Sequence, residues 1–430
     1  MCALSQSLLV AVLWIFAAMS PLQAETAATP QQQVARAAAM PAVHAAFAWF
    51  RSHEREISDR QLEMVRIPAP PFGEHPRAQW LQQQFTAAGL EHVHVDEIGN
   101  VLGMRRGSDP AAKYIALSAH IDTVFPVDAP LKNVRRDGDR LYGPGISDNG
   151  AGVAALLAIA NAMQAADVRT TAPILFIGNV GEEGEGDLRG MRQVFNDAVL
   201  RDSIASVLVI DGAGTDTLVT QALGSRRFEV TVHGPGGHSW SDFGTPNPIV
   251  VLARAIDALS RTEIPANPKT TYNVGVISGG TSVNSIPESA TIRVDIRSSS
   301  SDEIEKVEQS LRRAVADAVQ QANTAAPQRN GSPLISAEVK LIGSRPAAEL
   351  PDSSRLLQLM RAVDSHLNNP SRIHRASTDA NVPISLGRDA LAIGAGGTGG
   401  GAHTLHEWYD PRGRDLGLKR ILLALVAMAS

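Results

Sequence analysis

The chain has 430 residues and a formal net charge of -5, with 44% hydrophobic and 19% charged residues. That composition is globular and gives no excess of positive charge to draw nucleic acid, and the length sets an expectation of two domains. The single cysteine, Cys2, lies near the N-terminus, so the chain beyond it has no disulfide, thiol nucleophile or cysteine metal ligand.

Leu8 to Ala18 is an apolar run, followed by Ser20-Pro21-Leu22-Gln23-Ala24, where small residues and a helix breaker suggest a cleavage site. Residues 1–24 therefore resemble a secretory signal peptide, although no Lys or Arg precedes the apolar run, and the run is short for a spanning helix. The expectation is a periplasmic or secreted protein, with no membrane association once the segment is removed. Residues 25–40, rich in Ala, Gln and Pro, read as a tether with some helical tendency.

From Pro41 through Arg66 the pattern is helical, with Phe47, Phe50, Ile57, Leu62 and Val65 on one face. A second helix is expected over Pro76–Ala88, stopping at Gly89. Strands follow at His92–Ile98 and Tyr114–Ser118, an apolar helix at Gly150–Ala165, and strands at Pro173–Ile177 and Ala205–Ile210. Strands interleaved with helices imply an α/β layered domain, with ligands gathered where strands end.

Past residue 223 the character changes. Arg227–Val232 alternates, Asn247–Ser260 is helical, Thr271–Ile277 and Ala290–Arg297 are strand-like, and Ser301–Gln321 is a long amphipathic helix. With a loop at Pro327–Pro333 and a last strand at Ile335–Leu341, this order matches a ferredoxin-like α+β unit inserted over residues 224–342. The first pattern, covering 41–223, resumes over 343–430. It continues with a helix at Asp352–Leu367, a strand at Ala390–Ile393, the glycine-rich Gly394–Gly401, and a closing helix at Asp410–Ala429.

The chemistry-bearing residues sit at the expected strand ends. His120-Ile121-Asp122 follows one strand; an imidazole there serves as a metal ligand or simply bonds a backbone carbonyl, and Asp122 is placed to orient it. Asp148 precedes a helix, where it is either an N-cap or a carboxylate able to bridge two cations. Glu182-Glu183 follows another strand in the glycine-loosened Gly178–Asp187 stretch; two adjacent carboxylates are solvated or stand near positive charge. Asp211 is a turn residue or a ligand, and His403 with His406 lies beyond the glycine run, spaced His-x-x-His-Glu rather than His-Glu-x-x-His.

The ordered set His120-x-Asp122, Asp148, Glu182-Glu183, Asp211, His403 resembles the co-catalytic zinc peptidase family of aminoacylase, glutamate carboxypeptidase, peptidase T and succinyl-diaminopimelate desuccinylase. The resemblance runs from about Ala46 to the C-terminus. It implies a zinc-exopeptidase-like domain with a central mixed sheet flanked by helices, and an inserted lid or dimerization domain. It implies two Zn2+, with Co2+ or Mn2+ as alternatives: His120 and Asp211 on one ion, Glu183 and His403 on the other, and Asp148 bridging. Glu182 then matches the general base and Asp122 the supporting carboxylate.

In the insert, Val232–Ser239 resembles the segment whose histidine, here His238, reaches a neighbouring subunit's site, and Asn284 matches a substrate contact, which together imply a homodimer. Arg345 reads either as a clamp on a substrate carboxylate or as a surface ion pair. Three features depart from the pattern or stand outside it. Asn149 stands where many members have a second acidic residue, Asp211 stands in place of a histidine, and His92, His94 and His406 are extra. The expected function is metal-dependent hydrolysis of peptide or amide bonds in small peptides or N-acyl amino acids. The rivals are an amidohydrolase of ureido or carbamoyl substrates and a non-catalytic exported binding protein.

Overall fold

A computed structural model describes residues 28–130, 134–326 and 335–430. The signal segment and the Pro327–Pro333 loop lie outside the described residues. The apolar runs of the first domain are strands buried on both faces, which is why they read as continuous rather than alternating. Tyr114–His120, Ile174–Asn179, Ile204–Ile210 and Asp389–Ile393 form the parallel middle of a nine-stranded sheet. Antiparallel partners flank them, Val101–Arg105 beside Ile174–Asn179 and Thr217–Ala222 beside Asp389–Ile393, so the sheet is mixed. Helices Gly150–Ala165 and Arg414–Ala429 contact Tyr114–His120 and each other and are apolar almost all round, as helices enclosed by a core must be. Parallelism has one consequence for function. The carboxyl ends of all four middle strands open onto one edge, and the loops carrying His120, Glu182, Asp211 and His403 start there.

The second domain has a separate core, built by Phe228, Val230, Leu252, Ile292, Leu311 and their neighbours. Its antiparallel sheet runs in the order Thr270–Gly279, Ser289–Ser298, Gly224–His233, Ser336–Arg345. Helices Pro248–Ser260 and Ser301–Ala325 contact each other and the sheet. Along Ser289–Ser298 the inward residues Ile292, Val294 and Ile296 alternate with Arg293, Asp295 and Arg297. The last strand runs on to Arg345, past the expected domain boundary at 342.

Several expectations need correction. The tether is not one over its described part, because Pro30–Ala38 is a helix with a Thr29–Gln32 capping box. Val34, Ala37 and Ala38 of that helix are buried against Arg355–His366 and Arg414–Ala429. The single helix expected over Pro41–Arg66 is two, Pro41–Ser52 and Glu54–Val65. At the break, the His53 ring stacks on Trp49 at 4.2 Å and its Nδ1 approaches the Trp49 carbonyl at 2.9 Å. The strand expected over His92–Ile98 is Glu91–Val95, stopped where Asp96 accepts the N–H groups of Ile98, Gly99 and Asn100. Between the two expected strands, Val101–Arg105 is a further strand; a Cβ at Gly103 would lie 3.0–3.1 Å from Leu90 and Phe85, which pack over it.

Candidate metal centre

Each donor is placed by the end of an element and then braced. His120 is the last residue of its strand and is 1% exposed, with Nδ1 3.2 Å from the Asp122 backbone oxygen. Its Nε2 faces Asp148 Oδ1 at 3.3 Å and Asp211 Oδ1 at 3.8 Å. His403 Nε2 faces Asp148 Oδ2 at 3.2 Å and Glu183 Oε1 at 3.0 Å. The donor atoms of His120, Asp148 and Asp211 lie within 4.8 Å of one another, as do those of Asp148, Glu183 and His403. Asp148 is common to both groups.

The acidic loop is gripped from below. Asp122, with no exposed surface, accepts the Glu182 N–H at 3.0 Å on one carboxylate oxygen and the Glu183 N–H at 2.8 Å on the other. Gly181 turns the chain with φ +64°, where a Cβ would also strike Arg189 at 2.7 Å. The two neighbouring glutamates then part: Glu183 meets His403, while Glu182 Oε1 accepts from Arg345 Nη1 at 2.8 Å. Arg345 also donates to the Glu182 carbonyl. Of the two readings of Arg345, the surface ion pair is corrected, while the side chain does line the cavity above the donors. It is 7% exposed, so it is no surface pair, and its guanidinium engages Glu182.

The electrostatics favour positive charge among these donors. Burial opposes charge on His120, but the carboxylates of Asp122, Asp148 and Asp211 outweigh it and push the imidazole well above its ordinary value. Asp148 and Glu183 push His403 up to about 10. Burial would raise Asp148, yet His120 and His403 hold its carboxyl below the usual range. Burial raises Glu182 well above the usual glutamate range against the lowering pull of Arg345. Asp148 Oδ1 is buried and has no hydrogen-bond donor, so a lone pair is left in the middle of the cluster. Hard oxygen and borderline nitrogen donors grouped this way fit divalent cations of the zinc type.

A cavity of about 360 Å3 opens over the cluster, lined by Asp148, Glu182, Glu183, Asp211 and His403 from the first domain and by Arg227 and Arg297 from the second. Arg227 and Arg297 both donate to Asp295, so one carboxylate serves two guanidinia. These two arginines were not singled out from sequence. The signal available was the alternation that puts Arg293, Asp295 and Arg297 on the face opposite the core. His238 and Asn284 are brought together, since Gly237–His238 pairs with Ser285–Ile286 and the Ser239 N–H donates to the Asn284 carbonyl at 3.0 Å. Both are exposed, and neither lines the cavity of its own chain. The extra histidines His92, His94 and His406 are in neither donor group.

By fold and donor set, the molecule stands with the two-domain metal-dependent peptidases. Residues 116–426 match the family described as Peptidase family M20/M25/M40, and the chain belongs to that family. It is similar to a probable carboxypeptidase of Ajellomyces dermatitidis, 31% identical over 287 residues, and spans 62% of each chain. A tripeptidase of Staphylococcus aureus shares the fold with a TM-score of 0.69 at 21% identity, covering 87% of this chain and 99% of that one. A dinuclear metal-binding peptidase of Bacillus subtilis shares it with a TM-score of 0.60 at 16% identity, covering 87% and 99%.

Proposed function

We propose that the chain is an exported two-cation hydrolase that cleaves the peptide or amide bond of small peptides or N-acyl amino acids. The observation that carries this reading is Asp148, whose Oδ1 faces His120 while its Oδ2 faces His403. A carboxylate can serve two cations at once, which an imidazole in that position could not. His120 and Asp211 would hold one ion and Glu183 and His403 the other. Zinc suits the donor set, and cobalt or manganese are alternatives. When bound, such a pair polarises the scissile carbonyl and makes water a better nucleophile near neutral pH.

The chain's own residues do the remaining work. Glu182 takes a proton from the attacking water and returns it to the leaving amine, and its burial supports that role because it raises the proton affinity of the carboxylate. Asp122 keeps Glu182 and Glu183 aimed by holding their N–H groups. Arg297 shares Asp295 with Arg227, so their wall of the cleft carries net positive charge for a substrate carboxylate. That favours substrates with a free acid, as does the likeness to a carboxypeptidase.

We also read the second domain as a homodimerization and lid domain. Support comes from the exposure of His238 and Asn284 and from the exposed Trp240, Phe243 and Val283 beside them. His238 of one chain would complete the cleft of the other by donating to the developing oxyanion. Export to the periplasm or beyond rests on residues 1–24, and no helix of the described residues is long and apolar enough to cross a membrane.

The test is a panel of dipeptides, tripeptides, N-acyl amino acids and ureido acids, offered to the purified protein with zinc or cobalt. Hydrolysis of a free-acid peptide or N-acyl amino acid, abolished by a chelator and restored by metal, is expected. Cleavage of ureido acids alone would move the reading to the amidohydrolase. Neither turnover nor metal uptake would leave the binding protein.

A further inference from the structure

Two side chains outside the donor set converge on the segment that carries Asp148. Glu407 is 1% exposed and lies in the same loop as His403. Its Oε1 accepts the N–H groups of Ser147 and Asp148 at 2.7 and 2.8 Å, and its Oε2 accepts the Gly145 N–H at 2.8 Å. Its backbone carbonyl takes a fourth donor, the Gly143 N–H, at 3.1 Å. From the other side, Asn149 is 2% exposed and spans the residues flanking Asp211. Its Nδ2 donates to the Ile210 carbonyl at 2.9 Å, and its Oδ1 accepts the Gly212 N–H at 3.1 Å.

We infer that Asn149 and Glu407 are positioning residues that brace Asp148 against its two partners. Asn149 ties it to Asp211, and Glu407 ties it to His403. Chemistry fixes the residue types. The amide gives a proton to the Ile210 carbonyl and accepts one from Gly212, whereas an ionised aspartate would set a carboxylate against that carbonyl. Glu407 meets three N–H donors with its two carboxylate oxygens, and a glutamine would turn its own N–H groups on at least one of them. The inference rests on the two-cation reading above and adds that each brace serves a different half of the centre.

The experiment isolates the halves. His403→Ala leaves His120, Asp148 and Asp211; Asp211→Ala leaves Asp148, Glu183 and His403. Zinc affinity is measured by competition with a chromophoric chelator, and folding by circular-dichroism melting in EDTA. In the H403A background, N149D is expected to weaken zinc on the order of 10–100-fold, as loss of a supporting hydrogen bond does elsewhere. E407Q is expected to do the same in the D211A background. Should E407Q fail to fold, E407D keeps both acceptor oxygens on a shorter stem and is expected to weaken zinc less than 10-fold. Lower melting temperatures with unchanged zinc affinity would overturn the inference, because a merely structural role predicts that pattern. If the parent protein takes up no zinc, the two-cation reading itself fails, which is a separate outcome.

Discussion

The edge of the parallel sheet and the outer parts of the second domain treat their functional residues differently. On the parallel sheet, His120 and Glu183 are buried, and the Asp122 carboxylate accepts the backbone N–H groups of both halves of the acidic pair. In the second domain, His238 and Asn284 are exposed, lie on adjoining segments and do not line the cleft of their own chain. The first arrangement is fixed by one chain's fold. The second does not reach the cleft of its own chain. The comparison teaches that the donor half of the site is preorganised, and the proposed dimer is what would bring the other half to it. Preorganised donors avoid reorganisation during the reaction, which is where such sites gain most.

The comparison can be broken or sharpened by substitution. The largest kinetic effect is expected at Glu182. Glu182→Ala should lower kcat by about 10²–10⁴-fold, the range for loss of a general base, while metal analysis still finds two ions per chain. Loss of both ions together with activity would move Glu182 from the chemistry to the donor set. Next comes His238→Ala, expected to cost about 10²-fold or more in kcat with zinc content unchanged. Mixing H238A with E182A should restore part of the activity, since a mixed dimer holds one cleft with both residues intact. No recovery on mixing would tie His238 to its own chain.

Arg345→Ala tests the pH dependence. Arg345 lowers the pKa of Glu182 against a larger upward push from burial. Removing it should raise that pKa. A base must be deprotonated to act, so the acid limb of kcat/KM should move to higher pH, with activity lost first at the acid end. An unmoved limb would show that Arg345 does not tune the base. The smallest expected change in chemistry comes from Val283→Asp, which places a charge in the exposed apolar surface. Sedimentation should show a shift from dimer to monomer, with activity falling as dimer is lost; a monomeric wild type would remove the basis for this prediction.

His120, Glu183 and Asp211 are legible because each follows an apolar run that reads as a buried strand, whereas Asp148 and His403 are picked out by the helix start and the glycine run beside them. His120, Asp148, Glu183, Asp211 and His403 do converge. What was not legible depends on the third dimension. Arg345 was assigned to substrate or solvent because nothing local says that its guanidinium meets Glu182 across the domain junction. Asn149 stands in the sequence only as a departure from the family pattern and Glu407 only as the neighbour of His406, since their partners are backbone N–H and C=O groups that leave no mark in sequence. The stretch around Pro30–Ala38 reads from sequence as a tether with some helical tendency because its short apolar face becomes a core contact only against helices far along the chain.

The central claim is that one carboxylate, Asp148, joins two cation sites. Zinc per chain, measured by atomic emission after dialysis against trace free zinc, tests it most directly. Two ions are predicted for the wild type, one each for D211A and H403A, and none retained at wild-type affinity by D148A, with all four proteins folded by circular dichroism. A D148A protein that keeps both ions, or a wild type that binds only one, would contradict the account.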